Sequence, residues 1–204
     1  MANFKTHVVV AGVVGAGTAY VMITSGVINF STGIEITFLT MLGGLLPDVD
    51  AGNSRINRMV FVWLICLLEG IYLITELHTL STKTAYGAAI IAGGIVLARV
   101  GFNNFTVHRG IYHSIPVAIA SACLIGLILH DNFVAINLSY SILAIFMGFI
   151  IHLLLDELYS INIAGMRLKK SFGTALKFRS SELIPTVLAY MVALISLIMV
   201  YVQL

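Results

Sequence analysis

The sequence predicts an all-α, polytopic bundle of transmembrane helices, on the grounds of composition, apolar run length and charge distribution. Of its 204 residues, 59% are hydrophobic and only 10% are charged, and the mean hydropathy is +1.03. A soluble domain needs roughly 25% charged residues to cover its surface. We therefore expect an integral membrane protein whose main partner is the lipid bilayer. A net charge of +2 is too small to suggest nucleic acid as a partner.

Apolar runs divide the chain into about seven membrane segments. They are residues 7–28, 34–47, 60–77, 85–100, 114–129, 136–154 and 183–203. Because each crossing of a hydrocarbon layer of about 30 Å uses about 20 residues, the whole chain (1–204) is expected to form one domain. The second segment is short, rising only about 21 Å as a helix, so it either crosses or is re-entrant. Gly43 and Gly44 in this segment predict close helix packing.

Basic residues predict that the N-terminus lies in the cytoplasm. With Lys5 inside, alternate crossing puts ten of the eleven Lys and Arg residues on the same side and leaves Lys83 outside. This is the asymmetry of the positive-inside rule. Half of these ten fall within residues 157–182, which we expect to form a basic segment on the cytoplasmic surface. Each cation near an anionic leaflet contributes about 1 kcal/mol, so this segment either recruits a lipid substrate or only anchors the protein.

His152 and Asp156 are the first of four pieces of a metal-ligand pattern. Residues four apart on a helix share one face, so both side chains could bind one ion. An imidazole nitrogen with a carboxylate oxygen suits a divalent cation such as zinc. A plain hydrogen-bonded pair at the membrane edge is the other interpretation of this spacing.

The second piece lies before the fifth segment. His108 and His113 stand on either side of Arg109, and Ser114 followed by Pro116 predicts the start of a helix with Ser114 as its N-cap. Arg109 could bind a phosphate or a developing oxyanion through two N–H groups. It could equally be a topogenic charge beside lipid headgroups.

Two acids and one further histidine complete the pattern. Asp48 and Asp50 directly follow an apolar run. A calcium loop starting at Asp48 would need Gly at its sixth position and Glu at its twelfth, where this chain has Asn53 and Met59. A metal site with partners elsewhere in the chain fits the two acids better. His7, at the entrance of the first segment, would by itself be a capping or interface residue.

Together, these residues resemble the YdjM-like family of bacterial inner-membrane, metal-dependent hydrolases. The resemblance covers most of the chain and rests on His7, residues 45–50, residues 108–114, and His152 with Asp156. Tyr112 departs from the family pattern, which has Thr before the second histidine of that motif. The same arrangement is distantly similar to the zinc-dependent phospholipase C group, and this similarity implies phosphoester hydrolysis.

The resemblance and the ligand pattern imply a site of two or more divalent ions on the cytoplasmic side of the inner membrane. Zinc is the expected metal, and manganese is the alternative. The predicted metal ligands are His7, Asp48, Asp50, His108, His113, His152 and Asp156. Asp50 and Arg109 are the predicted catalytic residues, Asp50 as ligand or general base and Arg109 as the group that binds the anion. The expected substrate is an anionic phospholipid or another phosphoester.

Two other function classes remain open. A metal or proton transporter would use Glu69, an ionisable group in the middle of the third segment, where insertion costs about 2.5 to 3.5 kcal/mol. Against a transporter, the predicted ligands cluster at one rim of the membrane and not at the midplane. A metal-stabilised scaffold would use the ions only to hold helix ends together. An exchangeable water on the metal would favour the hydrolase, and a closed shell of four protein ligands would favour the scaffold.

Overall fold

A computed structural model of the chain describes residues 3–50, 57–58, 61–62, 65, 82–105, 111–132, 137–162, 167–168, 176–180 and 182–204. The helices are α1 (Phe4–Thr24), α2 (Phe30–Gly43), a 3-10 helix (Leu46–Asp50), α3 (Thr82–Phe105), α4 (Ile115–Asn132), α5 (Leu138–Leu158) and α6 (Leu183–Gln203). Two short strands, β1 (Ile161–Asn162) and β2 (Arg167–Leu168), pair antiparallel. The predicted all-α class is confirmed for the described residues, with this small strand pair added.

Several predicted features fall outside the described residues. They are His108, Arg109, Glu69, most of the third predicted segment (60–77) and residues 169–175 of the basic segment. The backbone of Asp50 is described, but its side chain is not. The predicted roles of these residues stay predictions.

Among the residues that the structure describes, three helices are long and apolar enough to cross a membrane, namely α1, α5 and α6. Each has 21 residues, or about 32 Å of helix, which matches a hydrocarbon layer of about 30 Å. Shorter apolar helices are Phe30–Gly43, Ala85–Leu97 and Ile115–His130. The apolar helices support the predicted membrane location. The number of seven crossings and the orientation stay predictions.

Asparagine caps set the first residue of three helices. The side chains of Asn3, Asn29 and Asn137 accept hydrogen bonds from the backbone N–H three residues ahead, at 2.9, 2.9 and 3.1 Å. These bonds satisfy N–H groups that have no partner within the helix. As a result, α1 and α2 begin before the predicted segments, and α5 begins after its predicted start. The second predicted segment ends at Gly43 instead of residue 47, because the 3-10 helix takes over at Leu46.

Contacts divide the chain into two compact units, one formed by Met1–Pro47 with Arg109–Leu204 and the other by Asp48–His108. In the first unit, α5 packs against α1, α2 and α4, and α4 also packs against α6. Accordingly, 44% of the apolar stretch of α5 is buried, compared with 22% for α1 and for α6. The α5 residues Ile145, Phe149 and Leu153 are fully buried in the core. The single domain predicted for residues 1–204 stays a prediction.

Glycines allow the backbones of α2 and α5 to meet within the first unit. A Cβ atom on Gly43 would overlap the backbone of Ile145, and one on Gly148 would overlap the carbonyl of Thr40. The predicted close packing at Gly43 is therefore confirmed. Gly148 lies one helical turn before His152, so this crossing determines what lies beside that histidine.

Candidate metal centre

His7, His152 and Asp156 meet where α1 begins and α5 ends. His7 lies in the first turn of α1, and the other two lie four residues apart near the end of α5. Their ligand atoms all lie within 4.8 Å of one another. The three residues are 1%, 0% and 3% exposed, respectively. The structure thus brings these three predicted ligands together inside the first unit.

The carboxylate of Asp156 faces Nε2 of both histidines. His7 Nε2 lies 3.4 Å from Oδ1, and His152 Nε2 lies 4.0 Å from Oδ2. The two imidazole rings are stacked, with centroids 3.7 Å apart and planes 10° from parallel. Ligands 2.0–2.1 Å from a tetrahedral zinc ion lie about 3.4 Å from one another. The first of these separations already fits such an ion, and the second would have to shorten by roughly half an ångström.

The carbonyl of Gly44 orients the ring of His152. His152 Nδ1 lies 2.7 Å from Gly44 O, although the two residues are 108 positions apart in the chain. Because the carbonyl can only accept, Nδ1 carries the proton and Nε2 keeps the lone pair that a metal would bind. A backbone carbonyl on the second nitrogen is a usual partner of metal-binding histidines. From the sequence, Gly44 was expected only to allow close helix packing. No local sequence pattern predicts that its carbonyl accepts a hydrogen bond from His152.

His7 differs from His152 in its hydrogen bonding. Nδ1 of His7 makes no hydrogen bond to any residue that the structure describes, whereas its Nε2 faces the Asp156 carboxylate at 3.4 Å. A buried polar group without a partner costs about 1–3 kcal/mol. A cation between His7 Nε2 and Asp156 could bind both groups. Two imidazole nitrogens with one carboxylate are a donor set that zinc binds in proteins, so the residues present fit a divalent metal.

His113 lies next to this cluster. Its ring is 1% exposed and meets the ring of His152 edge-on, with centroids 5.7 Å apart and planes 67° from parallel. A ring nitrogen of His113 lies within 4.8 Å of one of His152. The structure therefore places this fourth predicted ligand beside the other three.

Ser114 directly precedes α4, but its hydroxyl makes no capping hydrogen bond to the helix. The carbonyl of Ser114 accepts the first helical hydrogen bond, from Ala118 N at 3.0 Å, as expected of the residue that precedes a helix. Its hydroxyl has no hydrogen bond to the described part of the chain. Ser114 therefore holds the predicted N-cap position, but its side chain does not make the capping hydrogen bond. One physical reason is Pro116, which stands at a position where a capping hydroxyl would look for an N–H and has none to offer.

The basic segment is joined to the His113 loop through its backbone. Ile115 N donates to Lys177 O at 2.9 Å, and Ser114 and Lys177 form a parallel bridge. Leu176 and Phe178, on either side of Lys177, are 36% and 62% exposed. Within the first unit, this part of the predicted basic segment therefore passes directly beside the loop that carries His113. Its location on the membrane surface stays a prediction.

Asp48 and Asp50 belong to the second unit, where they stand on either side of Val49 in the 3-10 helix. Asn57 Nδ2 donates to Val49 O at 2.8 Å, and Arg99 Nε donates to Asn57 Oδ1 at 2.9 Å. Sequence reasoning missed this arrangement, since Asn57 matches no motif and Arg99 was interpreted only as a topogenic charge. The role of the two acids as ligands stays a prediction.

Fold and site define a helical membrane protein with a buried cluster of two histidines and one aspartate where α1 begins and α5 ends. The chain belongs to the YdjM inner membrane protein family, whose model matches residues 1–203. No curated protein and no solved structure matches the chain. The family predicted from the sequence is therefore confirmed, whereas metal dependence and hydrolysis stay predictions.

Proposed function

We propose that this protein is a membrane-bound, metal-dependent hydrolase that acts on a phosphoester or a lipid at the cytoplasmic face. The observation that carries the proposal is the cluster of His7, His152 and Asp156, whose ligand atoms lie within 4.8 Å of one another. A divalent metal, zinc or manganese, supplies a Lewis acid that lowers the pKa of water toward about 7 and makes a nucleophile available at neutral pH.

Each residue of the cluster has a separate part in this proposal. His7 and His152 would hold the ion through Nε2, and Asp156 would hold it through its carboxylate. Gly44 keeps His152 in the tautomer that leaves Nε2 available. His113 would be a further ligand, since its ring lies beside that of His152.

The remaining ligands of the proposal come from the sequence pattern. Asp48, Asp50 and His108 would complete a site of two or more ions, and Asp50 could instead serve as general base. Asp48 follows Gly44 by four residues, so covalent geometry alone keeps their Cα atoms within about 14 Å. Arg109 would bind the anionic group of the substrate.

The proposed orientation puts the cluster on the cytoplasmic side. Lys5 lies two residues before His7, and the positive-inside rule places it in the cytoplasm. The backbone of Lys177 pairs beside the His113 loop, and Arg179 follows two residues later. These cations, near His7 and near the His113 loop, support a site at the cytoplasmic rim of a protein with about seven crossings.

Elemental mass spectrometry of the detergent-purified protein tests the metal. We expect near-stoichiometric zinc or manganese in the wild type, and at least a tenfold loss of occupancy after His7→Ala or after His152→Ala combined with Asp156→Ala. His130→Ala is the matched control, because this histidine of the first unit lies about 22 Å along α4 from the first residue of that helix. A wild type that stays metal-free after incubation with zinc and with manganese would refute the proposal.

Turnover is measured separately on the metal-loaded protein. Suitable probes are a chromogenic phosphodiester, a chromogenic phosphomonoester, and vesicles of phosphatidylglycerol or phosphatidylcholine. We expect one of them to be hydrolysed by the wild type and by His130→Ala, and not by His152→Ala combined with Asp156→Ala. Bound metal without turnover on any probe would favour a second candidate function.

That second candidate is a metal-stabilised scaffold, and the observation that favours it is burial. The cluster residues are at most 3% exposed, as in a closed structural site. In this function the ion would only tie the beginning of α1 to the end of α5. A transporter is less favoured, because transport sites lie near the midplane and this cluster lies in terminal turns of its helices.

A further inference from the structure

The middle carbonyl of the 3-10 helix that carries Asp48 and Asp50 accepts a buried side-chain hydrogen bond. Its middle residue, Val49, is 5% exposed, and its carbonyl accepts from the side chain of Asn57. Asn57 is 0% exposed and accepts in turn from Arg99, a half-buried residue of α3. All five residues belong to the second unit.

Arg99 and the carbonyl of Val49 select the same orientation of the Asn57 amide. A guanidinium has only donors, so the Asn57 atom that faces Arg99 Nε must be the carbonyl oxygen, at 2.9 Å. The amide nitrogen is then turned toward Val49 O and donates to it at 2.8 Å. Both contacts select the same orientation of the amide, because a flip would set its oxygen against Val49 O and its NH2 group against Arg99 Nε.

Anchoring the carbonyl of Val49 also orients Asp50. The Val49 carbonyl lies in one rigid peptide plane with the nitrogen and the Cα of Asp50. Asp48 is joined to the nitrogen of Val49, so it is the neighbour of the anchored residue on the other side. A 3-10 helix of five residues has few hydrogen bonds of its own, and a buried side chain that grips its middle carbonyl therefore supplies much of its rigidity.

We infer that Asn57 and Arg99 are positioning residues, which hold Asp48 and Asp50 in the geometry needed to bind metal. The inference rests on the proposed function, because it takes the two acids to be ligands. Neither Asn57 nor Arg99 touches the ion or the substrate. Both act through the backbone of the 3-10 helix.

Asn57→Asp is the sharpest test, since aspartate has nearly the same shape and still accepts from Arg99. It cannot donate to Val49 O, so two acceptors face each other at the distance of the lost hydrogen bond. We expect zinc affinity to fall at least tenfold, measured by competition with a chromophoric chelator on metal-free protein. Arg99→Gln, a milder change, should weaken affinity severalfold, whereas Arg99→Lys should keep it within threefold. Arg58→Gln is the matched control, because Arg58 is an exposed cation of the same unit.

A second measurement separates positioning from general destabilisation. With both acids already replaced (Asp48→Asn and Asp50→Asn), adding Asn57→Asp should weaken zinc binding no further, because the residues that it positions are gone. A further loss in that background would overturn the inference. All variants are first compared by thermal unfolding, and Arg99→Gln takes the place of Asn57→Asp should the latter fail to fold.

Hydrogen exchange of metal-free protein provides a readout that does not need zinc. The amides of residues 46 and 48–50 should exchange faster in Asn57→Asp than in the wild type, and those of α6 should not change. Faster exchange with unchanged zinc affinity would overturn the inference while leaving the proposed function intact. A wild type that binds neither zinc nor manganese would overturn both, and the exchange data would then assign Asn57 a purely structural role.

Discussion

Replacing Gly148 with alanine should separate α2 from α5 and release His152 from its backbone partner. The added Cβ atom would overlap the carbonyl oxygen of Thr40 and lie 2.8 Å from Gly44 N, whereas ordinary contact begins at 3.4 Å. The backbone at Gly44 must therefore retreat by at least the difference, about 0.6 Å. The same movement would stretch the 2.7 Å contact between His152 Nδ1 and Gly44 O to about 3.3 Å, beyond the usual range of such hydrogen bonds.

Two terms set the size of the effect. Forcing an extra carbon into a close-packed crossing typically costs about 1–3 kcal/mol. Weakening a buried hydrogen bond adds about 0.5–1.5 kcal/mol. A total of about 2–4 kcal/mol corresponds to a melting temperature lower by about 5–15 °C for a chain of this size. Metal occupancy should fall as well, because the ring of His152 is then free to turn Nε2 away from Asp156.

Thermal unfolding in detergent and elemental analysis measure the two effects on the same preparation. Gly17→Ala provides the matched control, since a Cβ at that exposed position of α1 meets nothing within 4 Å. It makes the same chemical change in another helix of the first unit. If Gly148→Ala melts within 2 °C of Gly17→Ala, a difference of roughly 1 kcal/mol or less, and keeps its metal, the crossing does not orient His152 and the reasoning fails.

Three further outcomes are expected. Chelation should lower the melting temperature of the wild type but not of His7→Ala. The reason is that a bound metal at 100 times its Kd stabilises the folded state by about 2.7 kcal/mol. Equal shifts in the two proteins would contradict a site that includes His7. Asn137→Ala should cost about 1 kcal/mol through loss of the α5 cap, with the exposed neighbour Ser139→Ala as a neutral control in the same unfolding assay. Ile115→Pro removes the N–H that donates to Lys177 O, so trypsin should cut faster after Lys177 than in Ile115→Val; equal rates would show that this hydrogen bond does not hold the segment.

The parts of the site that depend on local spacing were predictable from the sequence. His152 and Asp156 share a helix face because four residues separate them, and the structure keeps that geometry to the end of α5. The helix starts were also predictable, since Asn3 and Asn29 are good N-cap residues that stand a few positions before apolar runs, but the apolar pattern alone placed both starts too late. The pattern of apolar residues indicates which part of a helix is buried, whereas the capping residue determines where the helix begins.

Contacts between distant parts of the chain were not predictable in this way. Gly44 reaches His152 only because glycines let α2 and α5 touch one turn earlier. In the sequence, a glycine pair has the same pattern whether or not its carbonyl accepts a hydrogen bond from a distant side chain. Asn57 is a similar case, because its function depends on both Val49 and Arg99 being within reach of one amide. His7 joined the predicted ligands through family resemblance, since a lone histidine at a helix entrance has no spacing to interpret.

Burial of the cluster sets opposite requirements for the two candidate functions. A scaffold needs only that His7, His152 and Asp156 hold an ion, and side chains at most 3% exposed meet that need without any motion. A hydrolase must also admit water and a substrate to the same ion, so some contact around the cluster has to open during turnover. Within the first unit, His113 is packed edge-on against His152, and its loop is held by the hydrogen bond from Ile115 N to Lys177 O. Metal content alone therefore cannot separate the two functions, whereas turnover can, because only hydrolysis depends on access to a site that is closed in this conformation.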